Sequence, residues 1–134
     1  QLKKLNKFIK KRKEIAQIYN SSFYENDFLK IPKVTTGYGH AYHLYPLQIN
    51  FRNLDQKKKL FKEFKKKKIN LQVHYIPIHL QPYYKKKYGF KRGDYPITEK
   101  FYNKEVSLPI YYSLKKKEIY KITKFIIDFC NKNL

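Results

Sequence analysis

The sequence predicts a two-layer α+β domain in which a small, mostly antiparallel sheet of about three short strands packs against helices. Three observations carry that expectation. Stretches with three-and-four apolar spacing alternate with stretches of period two, and the period-two stretches are few and short. A sheet that small offers helices only one face to cover. At 134 residues the chain is still long enough for one core, since a domain of about this size buries roughly two-thirds of its unfolded surface. No internal repeat, Gly/Ser linker or glycine-rich phosphate loop divides it, so residues 1–134 read as a single domain.

Leu5, Phe8, Ile9, Ile15, Ala16 and Tyr19 form one helical stripe between Leu2 and Tyr19, interrupted only at Arg12. Asn20-Ser21-Ser22 is a stop cluster, and the chain through Pro32 and Gly37 to Gly39 reads as irregular. Between Ala41 and Phe51, Leu47, Ile49 and Phe51 alternate with Gln48 and Asn50, which is a half-buried strand. Pro46 within it argues for an edge position, or at least a missing ladder bond. Asn53, with Gln56 three residues on, starts a helix to about Lys68 whose apolar stripe is Leu60, Phe61 and Phe64. The lysines from Lys65 to Lys68 fall in its last turn, where the helix dipole favours cations. Leu71, Val73 and Tyr75 mark a second strand that ends at Pro77. A helical turn and a loop are expected between Pro82 and Gly93, then a brief helix from Pro96, proline being tolerated in a first turn. Glu105 to Pro109 is the third strand, and Lys116 to Phe129 a closing helix with Ile119, Ile122, Phe125, Ile126 and Phe129 inward.

Net charge is +21, which raises the possibility of a polyanion partner. Arg12, Arg52 and Arg92 are the only arginines among 31 basic residues, whereas phosphate and base recognition favour the bidentate guanidinium. The lysine excess, with abundant Asn, Ile, Tyr and Phe, is also what an AT-rich coding sequence produces, so a solvated surface is the simpler account. Apolar residues at 42% and aromatics at 18% exclude a disordered chain. Cys130 is alone, so no internal disulfide forms, and a reducing, cytoplasmic setting is expected. No apolar run approaches the length of a membrane span. With no Met and an opening of Gln1-Leu2-Lys3-Lys4, the chain reads as an internal piece of something longer.

The segment LQVHYIPIHLQPYY (71–84) packs two histidines, three tyrosines and two prolines just past a strand, where sites usually form. His74 and His79 are candidate metal ligands, but Asp and Glu are absent from the stretch and His43 would have to be recruited across the fold, so no metal is expected. Cys130 sits among Phe129 and Ile126 as an inert buried thiol, and Ser107 has no glycine elbow beside it, so no nucleophile is expected either.

Taken in order, AYHLYPLQINF (41–51), HYIPIHLQPYY (74–84), the helix start Pro96 to Glu99, VSLPIYYSL (106–114) and the closing helix resemble the C-terminal part of the DegT/DnrJ/StrS family of sugar-nucleotide aminotransferases. The resemblance runs from about Arg12 to Phe129. HLQPYYKKKYGFKRGDYPITEKFY (79–102) is most similar to the branch serving the pseudaminic acid pathway. The resemblance implies the small C-terminal domain of a fold-type-I, homodimeric enzyme. Such an enzyme uses pyridoxal 5'-phosphate as its electron sink to move an amino group from L-glutamate to the 4-keto carbon of a UDP-linked deoxysugar. It also implies that the Schiff-base lysine, the acidic partner of the pyridine nitrogen and most phosphate-binding residues belong to an N-terminal domain. This chain alone would then neither bind the cofactor nor turn over, and it holds no catalytic residue.

Carried onto matching positions, the substrate-binding residues are His43 and Tyr45 in HLY and His74, Tyr75 and His79 in HYIPIH. Neutral imidazole and phenol groups there would meet a pyrophosphate or sugar hydroxyls, with the three histidines turned toward a shared cleft. Lys115 departs from the family's usual Ser, Thr or Asp cap on the last helix, so Ser113 would cap from two residues earlier, or the end frays. The alternative is a basic nucleic-acid-binding module. It accounts for the charge and for Tyr83-Tyr84-Lys85-Lys86-Lys87-Tyr88, but not for HYIPIH followed by SLPIYYSL.

Overall fold

The computed structural model describes residues 2–35 and 37–134; Gln1, and Thr36 within the stretch expected to be irregular, lie outside the described residues. A 3-10 turn at Leu2–Lys4 leads into α1 (Leu5–Phe23), followed by β1 (Leu29–Lys30), β2 (Tyr45–Ile49) and α2 (Leu54–Lys66). A second 3-10 turn (Ile78–Leu80) precedes α3 (Pro82–Tyr88), α4 (Pro96–Lys104), β3 (Glu105–Leu108) and α5 (Lys116–Asn133). The three strands form one antiparallel sheet in the order β1-β2-β3, so the expected α+β class holds.

Strand membership differs from expectation. Leu71 to Tyr75 is not a strand: only Gln72 pairs, exchanging both backbone bonds with Ser107 at 3.3 and 2.8 Å. Two residues on, where the ladder would continue from His74 to the carbonyl of Glu105, the His74 N–H instead donates to the Glu105 side chain at 3.1 Å. That substitution of carboxylate for carbonyl ends the pairing. The third strand is β1, hidden from periodicity arguments by its two-residue length, which pairs Leu29 with Ile49 and Lys30 with Gln48.

Pro46 lies in the central strand rather than at an edge, and the register explains why it is tolerated. It faces Ser107, whose backbone groups are committed to Gln72 on the far side, so Pro46 and Ser107 are a non-hydrogen-bonded pair. The nitrogen of Pro46 therefore points toward β1, which stops at Lys30 before reaching it. The edge is local, and the missing donor costs no ladder bond.

Paired residues share a face, so Tyr45, Leu47 and Ile49 lie beside Leu108 and Val106. Over them pack Ile15, Ala16, Tyr19 and Phe23 of α1, Ile119, Ile122, Ile126 and Phe129 of α5, and Leu60 and Phe64 of α2. Each Leu, Ile or Phe among them taken fully out of water stabilises the fold by about 1.5–3 kcal/mol. Phe125, expected inward, is half-buried and meets Phe64 edge-on at 4.7 Å, with Lys67 Nζ 4.4 Å from its ring. Arg12, the gap in the α1 stripe, donates from Nη1 to the carbonyls of Tyr42 (3.0 Å) and His43 (2.8 Å) and ties that loop to the helix.

Helix ends follow local chemistry. α1 runs through Asn20-Ser21-Ser22 because Phe23 gains a buried place, with its ring stacked 5.9 Å from Tyr19 one turn earlier. Asn53 Oδ1 accepts from Asp55 and Gln56 N–H at 3.1 Å, as a cap should, while Gln56 Oε1 reaches back to the Arg52 N–H rather than to Asn53. α3 closes on Gly89, whose φ of 71° suits glycine. At α5 neither Ser113 capping nor fraying is seen: Glu118 Oε2 accepts from the Lys115 N–H at 2.8 Å, half of a capping box made by the acid at the third helical position. Glu118→Ala is expected to lower stability by about 0.5–1 kcal/mol, read from the denaturant midpoint. An unchanged midpoint would mean that the end is held by other contacts.

Candidate functional site

On the sheet face opposite the apolar core, β3 presents Glu105 and Ser107, both buried, and the 72–80 segment crosses over them. Ser107 Oγ donates to Glu105 Oε1 at 2.5 Å, and His74 Nδ1 lies 2.8 Å from the same hydroxyl. The Glu105 carboxylate, fully enclosed, thus serves the Ser107 hydroxyl with one oxygen and the His74 backbone with the other. Lys57 of α2 supplies nearby positive charge. Burial pushes its ammonium down to about 8 while Glu105 pulls the other way, and its Nζ donates to the Tyr102 carbonyl at 2.6 Å.

His79 is held differently. It is buried, and its Nε2 sits 2.9 Å from Glu99 Oε1, which also accepts from the Gly93 N–H at 2.7 Å. One carboxylate on α4 thereby ties the 3-10 turn to the loop before α4, with Tyr95 tilted against the imidazole at 4.7 Å. The His79 bond, then the Gly93 N–H, hold the Glu99 carboxyl below its ordinary range.

The five residues expected to bind substrate do not form one cluster. Tyr45 has no solvent exposure: its ring meets Tyr19 at 4.8 Å and its hydroxyl donates to Asn20 Oδ1 at 2.7 Å, on the core face. Burial drives its phenol well above the ordinary range and keeps it neutral. His74 is bonded on the other face. His43 is exposed and precedes Tyr45 at one end of β2, whereas His74 lies by Glu105, which opposes Gln48 near the other end. Tyr75 is 71% exposed beside His74, ring to ring at 4.7 Å, with Ile76 and Ile78 also exposed. The segment therefore offers His74 and Tyr75 outward and keeps His79 behind as an anchor.

Sequence reasoning missed the acids. Glu105 and Ser107 are two apart on one strand, a spacing that places both on one face, but alternation alone does not say that the face is covered. Glu99 was read only as part of a helix start. Among the described residues no group of three or more His, Cys, Asp or Glu is placed to hold a metal ion, and no helix is long and apolar enough to cross a membrane. Burial pushes the Cys130 thiol up to about 12, consistent with an inert core residue. Lys57, buried among the described residues, is committed to the Tyr102 carbonyl and the neighbourhood of Glu105.

The Glu99 pair sets a pH signature. Because the folded state holds this carboxyl below its ordinary value of 4.5, the unfolded chain binds more protons as acid is added. The stability it contributes is present above that value and is lost as pH falls through the depressed one. Glu99→Gln should therefore be less stable than the parent at neutral pH, with the gap closing in acid, as followed by denaturant unfolding. Parallel acid limbs would remove Glu99 from this role.

The family model for DegT/DnrJ/EryC1/StrS aminotransferases matches residues 1–126. Protein MJ1066 of Methanocaldococcus jannaschii, which is uncharacterized, is 40% identical over 134 residues, covering 99% of this chain and 35% of that protein. The UDP-4-amino-4,6-dideoxy-N-acetyl-beta-L-altrosamine transaminase of Campylobacter jejuni is 32% identical over 128 residues, covering 96% and 32%. Among solved structures, Spr1654 of Streptococcus pneumoniae in its PLP-form is similar with a TM-score of 0.91 at 27% identity, covering 100% of this chain and 34% of that one. The chain spans about a third of the length of the curated relatives it matches. With a family match across nearly the whole chain, and a fold shared with such structures, the chain belongs to the DegT/DnrJ/EryC1/StrS aminotransferase family.

Proposed function

We propose that this chain is the C-terminal domain of a pyridoxal-phosphate-dependent aminotransferase that moves an amino group from L-glutamate to the 4-keto carbon of a UDP-linked deoxysugar, in pseudaminic acid biosynthesis. The observation that carries the reading is the match to the family across residues 1–126. The similarity to a transaminase named for an altrosamine nucleotide supports the finer substrate assignment. In this reading the whole enzyme is a cytoplasmic homodimer, and the cofactor is held by the part of the protein outside this chain. His74 and Tyr75 face the substrate. Tyr45 and His79 hold the wall from behind through Asn20 and Glu99, and His43 borders it from the other end of β2.

The nucleic-acid reading rests on the net charge of +21 and on exposed Tyr83, Tyr84 and Tyr88 around Lys85 to Lys87. The rings are already engaged within the chain. Lys87 Nζ lies 5.4 and 5.3 Å from the Tyr83 and Tyr88 centroids and donates to the Tyr83 hydroxyl at 3.0 Å. Stacking a base there would displace these contacts.

Joining this chain to the N-terminal two-thirds of the Campylobacter jejuni transaminase, in place of that enzyme's own C-terminal third, tests the proposal. The fusion should form 4-amino sugar from the UDP-4-keto sugar and glutamate, while the chain alone shows neither turnover nor cofactor absorbance. His74→Ala in the fusion should lower kcat/KM by roughly ten- to a hundredfold, the loss from one buried hydrogen bond. A fusion that holds its cofactor but gives no product would sink the substrate assignment. A random oligonucleotide should bind the chain at millimolar strength or not at all; tight binding with a steep salt slope would favour the other reading.

A further inference from the structure

We infer that Glu105 and Ser107 are positioning residues that fix the tautomer of His74, leaving Nε2 as a lone-pair acceptor for a hydrogen-bond donor on the ligand, a hydroxyl or an amide N–H rather than a phosphate oxygen. A serine hydroxyl has one proton. Ser107 Oγ donates to Glu105 Oε1, and a carboxylate beside the Lys57 ammonium is an acceptor only, so that proton points at the carboxylate. Turning it toward His74 instead would leave two oxygens facing each other with no hydrogen between them.

The hydroxyl is then only an acceptor toward the imidazole, and His74 Nδ1, 2.8 Å away, must carry the N–H. The second carboxylate oxygen is occupied by the His74 backbone N–H, so Glu105 has no freedom to release the serine. Nε2 has no partner among the described residues. The one buried side-chain nitrogen or oxygen without a partner among them is Asn103 Oδ1, so Nε2 is in contact with solvent. A neutral ring protonated at Nδ1 presents there a lone pair, which attracts a donor and repels a phosphate oxygen. Ser107 and Glu105 touch no ligand in this arrangement and act only through His74. That the donor is a substrate hydroxyl or acetamido N–H rests on the aminotransferase reading; the tautomer does not.

The test is the imidazole nitrogen spectrum of the 15N-labelled chain, without ligand, at a pH where His74 is neutral. His74 should show Nδ1 protonated and Nε2 bare. Ser107→Thr, which keeps the hydroxyl, should preserve that pattern. Ser107→Ala should lower the ratio of the Nδ1–H to the Nε2–H form by about tenfold, corresponding to one ordinary hydrogen bond. A purely structural serine would leave the ratio unmoved in a folded variant. An Nε2–H ring in the parent chain overturns the inference whether or not the alanine variant folds, and so does an Nδ1–H to Nε2–H ratio that is unchanged in a folded Ser107→Ala. Since no ligand is present, these outcomes are independent of the fusion enzyme's activity, and either proposal can fail while the other stands.

Discussion

A carboxylate with no solvent exposure, Glu105, is the constraint around which the polar face of the sheet is arranged. An ionised group taken out of water without partners carries a penalty of several kcal/mol, so its surroundings must supply donors and positive charge. They come from three parts of the chain: the Ser107 hydroxyl on the same strand, the His74 backbone N–H from the crossing segment, and Lys57 from α2. Satisfying that one acid ends the third ladder at Gln72 and holds the His74 backbone and the Ser107 hydroxyl. The crossing segment has only one residue, Gln72, in a bridge to the sheet; beyond it, placement depends on Glu105 and then on Glu99.

The sheet thus separates two tasks. One face, with Tyr45, Leu47, Ile49, Val106 and Leu108, is sealed by α1, α2 and α5 and accounts for cohesion. The other carries Glu105 and Ser107, whose bonds run to each other and to His74. His74 on the second face has its Nδ1 against Ser107 and its backbone N–H on Glu105, while Nε2 stays accessible. Rigid support of that kind suits a residue that orients a substrate and takes no covalent part in its chemistry.

Much of the fold was legible in the sequence because its helices bury long stripes with clear three-and-four spacing. α5 shows this in Ile119, Ile122, Ile126 and Phe129, and the Asn53 cap announced α2. β1 was invisible, since two residues cannot show a period, and Leu71 to Tyr75 was misread because alternation marks extended backbone without saying whether it finds a partner. Family resemblance drew attention to HYIPIH, and the structure divides that motif. His74 and Tyr75 face outward while His79 turns in to Glu99, a distinction set by an acid 20 residues away. Tyr45 was expected at a ligand and lies in the core, because a strand in contact with α1 buries every second residue. Within this chain His79 is bonded to Glu99 and His74 to Ser107, while His43 is exposed before β2.

The central claim, that a side-chain acid and not a third ladder holds the HYIPIH segment, is tested most directly by amide hydrogen exchange. In the parent chain the His74 N–H should be protected although it lies in no strand, and Glu105→Ala should abolish that protection while the amides of Leu47 and Val106 keep theirs relative to global unfolding. A His74 amide that exchanges freely in the parent, or one that stays protected without Glu105, would contradict the account.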